Sequence, residues 1–190
     1  MPPRTEEQFE EIRNEKTKLI MQSALQLFAN NGYDNTSISQ IAKDAGISKG
    51  LMYNYFDSKE ALIKTIMLSG INNFMVLLQV KDKENIKRDE IEFFVNGNME
   101  LLKQNIDYYK LFFSLAFQPK IFQILGDSFM KISEDVTDIF VKYFTQKGEE
   151  KPYVKARLIL ALFDGIGIHY VIDKEHFPIE DIREIIIEMI

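Results

Sequence analysis

The sequence predicts an all-α fold, with a small three-helix head at the amino end and a larger helical body after it. Three observations predict it. Apolar residues recur at helical spacing almost from end to end, and no segment alternates with the period of two that a half-buried strand needs. Helix start signals, Ser37 with Gln40, Ser48, and Asp57 with Glu60, come within about twenty residues of one another. Starts so close together mean short helices joined by tight connections.

The bulk numbers narrow the class. The chain has 190 residues, of which 46% are hydrophobic and 27% charged, enough for a substantial core under a wet surface. Cysteine is absent, which excludes disulfides and thiolate metal sites. The most apolar run, around Leu158 to Tyr170, is interrupted by Asp164 and falls short of a membrane span. The first residues, MPPRTEEQFEE, are acidic and lack the apolar stretch of a signal peptide. A soluble, cytoplasmic protein is expected. The net charge of −6 is unevenly spread: from Lys16 to Lys59 five lysines outnumber three acids. That distribution permits a nucleic-acid partner without requiring one.

The elements follow in order. In the first helix Ile12, Leu19, Ile20, Ala24, Leu27 and Phe28 fall largely on one face, and Asn31-Gly32 supplies a left-handed stop. Ser37 caps the second helix, Ser48 the third, and Asp57 the fourth, which should run from Ser58 to near Val80. Lys81 to Glu90 is polar and reads as a connection. Ile91, Phe94, Val95, Asn98, Leu101 and Leu102 mark a fifth helix. Tyr108 to Phe117 is apolar nearly all round and should be buried on most sides. Pro119 and Gly126 bracket a short segment. Phe129, Ile132, Val136, Ile139, Phe140 and Tyr143 define another helix, stopped at Lys147-Gly148.

Pro152 opens a helix with two apolar stripes. One holds Val154, Leu158, Ala161, Leu162, Gly165 and His169, the other Ile159, Phe163, Ile166 and Tyr170. A helix apolar on two faces needs two partners. A last helix from Pro178 carries Ile182, Ile185, Ile186 and Met189, for nine or ten in all.

Ser37 to Tyr55 is the most informative stretch. It reads as a helix, a tight turn and a second helix, an arrangement that sets one helix in the DNA major groove while the other braces it. Ala42 suits a close crossing, Gly46 the positive φ of the turn, and Ile41, Ala45, Ile47, Met52 and Phe56 a shared core. An ordinary helical hairpin can also carry Ala and Gly at these places.

SKGLMYNYFDSKEAL, from Ser48 to Leu62, resembles the signature of the TetR family of bacterial transcriptional regulators. The likeness extends back through LFANNGYDNTSISQIAKDAGIS, from Leu27 to Ser48, and covers roughly the first 65 residues. The remainder resembles the family in helical layout, and Phe163 to Asp173 is similar to its penultimate, dimerising helix. The resemblance implies a helix-turn-helix DNA-binding domain at residues 1–60 and a helical regulatory domain, for ligand binding and dimerisation, at 61–190.

Roles follow from side-chain chemistry. Thr36 and Ser37 would set a hydroxyl and the free N–H groups of the second helix against phosphate. Lys49, Tyr53, Tyr55 and Lys59 offer charge and phenolic hydroxyls to phosphate oxygens, with Ser48 as the cap of the third helix. Gly50, Leu51 and Asn54 should face outward with Tyr53 toward base edges. Asn can pair with adenine, whereas Leu51, where many relatives carry a polar residue, can only pack against a methyl or sugar.

By the same resemblance, the last two long helices make a homodimer with recognition helices about 34 Å apart on a palindromic stretch of double-stranded DNA. Repression is relieved when a small effector enters the body. Met75, Phe94, Phe113, Phe117 and Phe122 could line an apolar or aromatic site with Asn98, Tyr109 and His169 as polar handles. The plain alternative is a hydrophobic core. His169 and His176 lack paired carboxylates, so no metal is expected. No nucleophile–base pair or phosphate-binding glycine loop suggests an enzyme, and no cofactor is expected. An architectural or activating factor of the same fold, with no small-molecule ligand, is the competing function.

Overall fold

A computed structural model describes residues 5–190. Those residues form nine helices and no strand: α1 Glu6–Asn31, α2 Ile38–Asp44, α3 Lys49–Met52, α4 Lys59–Met75, α5 Arg88–Gln104, α6 Ile106–Ala116, α7 Pro119–Gln146, α8 Pro152–Ile172 and α9 Ile179–Met189. None is long and apolar enough to cross a membrane.

The chain divides into two compact units, Met1–Ser69 with Ser114–Leu125, and Gly70–Phe113 with Gly126–Ile190. The first crossing between the units falls inside α4, between Ser69 and Gly70.

In the first unit α1 begins with a capping box that the sequence reading passed over. Thr5 Oγ1 accepts from the Gln8 N–H, and Gln8 Oε1 accepts from the Thr5 N–H. The helix ends as expected at Gly32, at φ 83°. Ile20, Ala24, Phe28, Ile41, Met52, Leu62 and Ile63 are buried, each of the larger side chains worth about 1.5–3 kcal/mol in apolar surface removed from water. Ser58, not Asp57, caps α4: its Oγ accepts from the Ala61 N–H at 2.9 Å.

In the second unit α9 packs against α5 and α8. Arg88 donates to the Ile187 carbonyl at 2.8 Å, and Lys103 bridges Glu100 and Glu180. Gly70 brings α4 close to α6, since a Cβ there would sit 2.7 Å from the Phe112 ring and the Tyr108 hydroxyl. The expected run of α4 to Val80 stops at Met75. Beyond it the Leu77 and Leu78 N–H groups donate to the Phe74 and Met75 carbonyls, three residues back, and Leu77 lies against Gly97, where a Cβ would come within 3.1 Å of its methyls.

Tyr109 and Phe112 on α6 are buried, but Phe117, beyond its end, is 71% exposed, so this stretch is less enclosed than its composition suggests. Helix α7 breaks at Gly126 (φ 24°, ψ −109°), the glycine expected to close the short segment after Pro119. The two stripes of α8 have different fates. Ile159, Ile166 and Tyr170 are buried, whereas Val154, Leu158, Ala161 and His169 are exposed, as is Ile185 on α9.

Candidate nucleic-acid interface

Local chemistry builds the helix-turn-helix. The Ser37 Oγ accepts from the Gln40 N–H at 3.3 Å, and Gln40 Oε1 accepts in return from the Ser37 N–H at 2.7 Å, the capping box read from sequence. Helix α2 ends when the Ala45 N–H donates to the Ile41 carbonyl, and Gly46 then turns at φ 65°. The Ile47 N–H closes the turn on the Ala42 carbonyl at 2.9 Å. Ser48 caps α3 through the Leu51 N–H at 3.1 Å. Helix α3 is only one turn long, extended by turns in which Asn54 and Tyr55 donate to the Leu51 and Met52 carbonyls at 3.0 Å.

This phase decides what faces outward. Met52 and Phe56 are buried against Ile41, Ala42 and Ala45, so Tyr53, between them in sequence, is 48% exposed, and Asn54 is exposed beside it. Lys49, Gly50 and Leu51 are exposed as well, and a Cβ at Gly50 would meet nothing within 4 Å.

Two residues expected at phosphate are turned inward. Thr36 is buried, its hydroxyl lying 2.9 Å from the Gly32 carbonyl and 3.1 Å from that of Leu27. The Lys59 ammonium donates to the Tyr33 and Thr36 carbonyls at 2.8 and 2.9 Å, approaches that of Asp34 at 3.5 Å, and lies 4.3 Å from the centre of the Tyr33 ring. It clasps the connection between α1 and α2. Burial, with Glu60 and Asp34 adding to it, raises the Tyr33 phenol above its ordinary pKa.

One neighbour escaped sequence reasoning. Arg13 of α1 donates to the Asn54 carbonyl at 3.4 Å and places its guanidinium 5.9 Å from the centre of the Tyr55 ring. It is 41 residues from Asn54, and nothing local marks it. It braces the turn after α3 and adds a positive charge there.

Comparison with known proteins agrees with this geometry. The family model for bacterial regulatory proteins of the tetR family matches residues 20–66. Residues 20–66 therefore carry the amino-terminal domain of the TetR family. It is 39% identical over 102 residues, 53% of this chain, to the HTH-type transcriptional regulator YuxN of Bacillus subtilis (strain 168). The match spans only 34% of that relative's length. It is 28% identical over 153 residues to the HTH-type transcriptional regulator UidR of Escherichia coli (strain K12), covering 77% of each chain. Among solved structures, the fatty acid degradation regulator FadR from Bacillus halodurans superposes with a TM-score of 0.69 over 92% of this chain and 93% of its own, at 17% identity, a likeness of fold alone.

The second unit holds a cavity of about 220 Å³. Helix α4 contributes Phe74 and Met75, α5 Phe94 and Asn98, α6 Phe112 and Phe113, α7 Phe129 and Ser133, and α8 Phe163 and Asp164. Of the eight residues read as ligand contacts, Met75, Phe94, Asn98 and Phe113 line it. Tyr109 is buried against Phe74 and Phe113 without joining the lining, and burial holds its phenol well above the ordinary range. His169 is exposed and stacks on Phe177. Phe117 and Phe122 belong to the first unit and are mostly exposed. Asp164 keeps much of its surface in solvent, yet its carboxyl is pushed upward by desolvation, partly offset by Arg157.

Proposed function

We propose that this chain is a homodimeric transcriptional repressor, working in the cytoplasm, that leaves a palindromic operator when a small apolar or aromatic ligand enters its body. One observation carries the DNA-binding part. The Gly46 turn buries Met52 and Phe56 and thereby leaves Tyr53 and Asn54 exposed on the second helix of the pair. Asn54 is suited to adenine, Tyr53 and Lys49 to phosphate, and Ser37 and Ser48 to the backbone beside their helix starts.

The exposed stripe of α8 supports the dimer. Val154 and Leu158, one turn apart on α8, are 59% and 49% exposed, and Ile185 of α9 is 55% exposed, apolar surface that a second copy would take out of water. Two copies joined there would hold their recognition helices about 34 Å apart, one turn of DNA. The cavity supports the effector. Release follows to the extent that a ligand binds the DNA-incompetent conformation more tightly than the competent one.

Fluorescence anisotropy on the DNA upstream of its own gene, over a salt series, tests the reading. A negative log–log slope and a clear preference over random DNA are expected, with Lys49→Ala reducing the slope by about one. A flat salt response, or equal affinity for random DNA, refutes it.

A further inference from the structure

The cavity's polar groups are unevenly chosen. Asn98 is 2% exposed, and its Nδ2 donates to the Phe94 carbonyl one turn earlier at 2.9 Å. Phe94 can only accept at that position, so the amide nitrogen is committed to it and the orientation of the side chain is settled. The Asn98 Oδ1 is then a buried acceptor with no partner among the described residues. A buried acceptor left without a donor is costly, and a ligand that supplies one gains by relieving it.

Asp164 is the second acceptor on the lining, and Ser133 adds a hydroxyl. Among the described residues no lysine, arginine or histidine lines the cavity, and the rest of the wall is phenylalanine and aliphatic side chains. An anion placed there would meet the Asp164 carboxylate with no cation on the lining to offset it, which is unfavourable. A cation would meet Asp164 and the faces of aromatic rings. The volume, about 220 Å³, exceeds the roughly 150 Å³ in which an apolar protein cavity accommodates benzene.

Resting on the effector reading above, we infer that the cavity takes a compact aromatic molecule that is neutral or cationic and carries a hydrogen-bond donor, given to Asn98 Oδ1. It selects against carboxylates, fatty acids included. Asn98 is the residue that recognises the donor, and Asp164 favours positive charge.

Four probes sharing one ring system separate these claims: naphthalene, 1-naphthol, 1-naphthylmethylamine and 1-naphthoate. The protein has no tryptophan, so probe fluorescence excited at wavelengths longer than its eight tyrosines absorb reports the probe alone. Naphthol is expected to bind about tenfold tighter than naphthalene, the amine tighter than naphthol, and naphthoate weakest of all. Asn98→Leu should erase the advantage of naphthol over naphthalene. Asp164→Asn, a near-isosteric change at an exposed position, should remove the advantage of the amine over naphthol. Naphthoate binding as tightly as naphthol overturns the inference, as does an unchanged naphthol preference in Asn98→Leu, or no binding of any probe. DNA binding measured on the same samples keeps the two readings apart. Retained operator affinity with the wrong probe order defeats this inference alone, whereas lost operator affinity defeats the regulator.

Discussion

Lys59 separates two accounts of the head. If it served phosphate, Lys59→Met would leave stability intact and lower the salt slope of DNA binding by about one. The geometry predicts the reverse. An ammonium has three donors, and those of Lys59 are turned to the carbonyls of Tyr33, Thr36 and Asp34, the first two at 2.8 and 2.9 Å. A hydrogen bond to a charged group contributes about 1.5–3 kcal/mol net. Lys59 is half-buried, so the lower end applies, and two such bonds amount to about 3 kcal/mol. Contact with the Tyr33 ring adds about 0.5 kcal/mol. For a chain of this size, 3 kcal/mol lowers Tm by about 6–12 °C. Guanidinium titration followed by far-UV circular dichroism gives the stability, and anisotropy gives the slope. A variant as stable as the parent with a slope reduced by one would refute the clasp.

Other expectations follow from single features. Gly46→Ala should cost about 1–2 kcal/mol in the same denaturant titration, because φ 65° is strained for any L side chain and no neighbour within 4 Å repays the added methyl. Leu158→Glu should turn the proposed dimer into a monomer in analytical ultracentrifugation and weaken operator binding at least tenfold, while the monomer stays folded. Gly167→Ala would bring a Cβ within 2.8 Å of the Phe113 ring. Since that ring lines the cavity, naphthol affinity should fall severalfold, with stability within about 1 kcal/mol of the parent because alanine favours the helix. At high pH the chain should lose stability. Burial pushes the Tyr108 phenol up to about 12, whereas an unfolded tyrosine titrates near 10. The unfolded chain therefore releases that proton first, and urea midpoints should drop between about pH 10 and 12. A Tyr108→Phe variant should show a shallower fall.

The head was legible because its signals are local. Ser37 and Gln40 lie three residues apart and make their box within one turn, and Gly46 is needed at a positive φ that its neighbours in sequence demand. Outward placement of Tyr53 and Asn54 followed from the apolar phase of Met52 and Phe56. Thr36 and Lys59 were harder, since their partners are backbone carbonyls whose direction depends on how the α1–α2 connection closes. Arg13 had no signal at all, being paired across 41 residues. At the start of α4, Asp57 and Ser58 are both able caps, and only the helix's first residue decides between them.

The body was legible as helices but not as a cavity. Periodicity identifies the apolar face of α5, so Phe94 and Asn98 could be named. It does not say which rings of α6 meet which helix. Phe113 lines the cavity while neighbouring Tyr109 packs behind it, and Phe117 turns to solvent. On α8 two apolar stripes were visible, and the sequence could not tell which would be buried within one chain.

Site-specific photocrosslinking tests the central claim most directly. A benzoylphenylalanine placed at position 51 or 53 of the full chain, bound to its upstream DNA, should crosslink to that DNA, whereas the same group at exposed position 153 on α8 should not. Crosslinks from 153 with none from 51 or 53 would contradict the account.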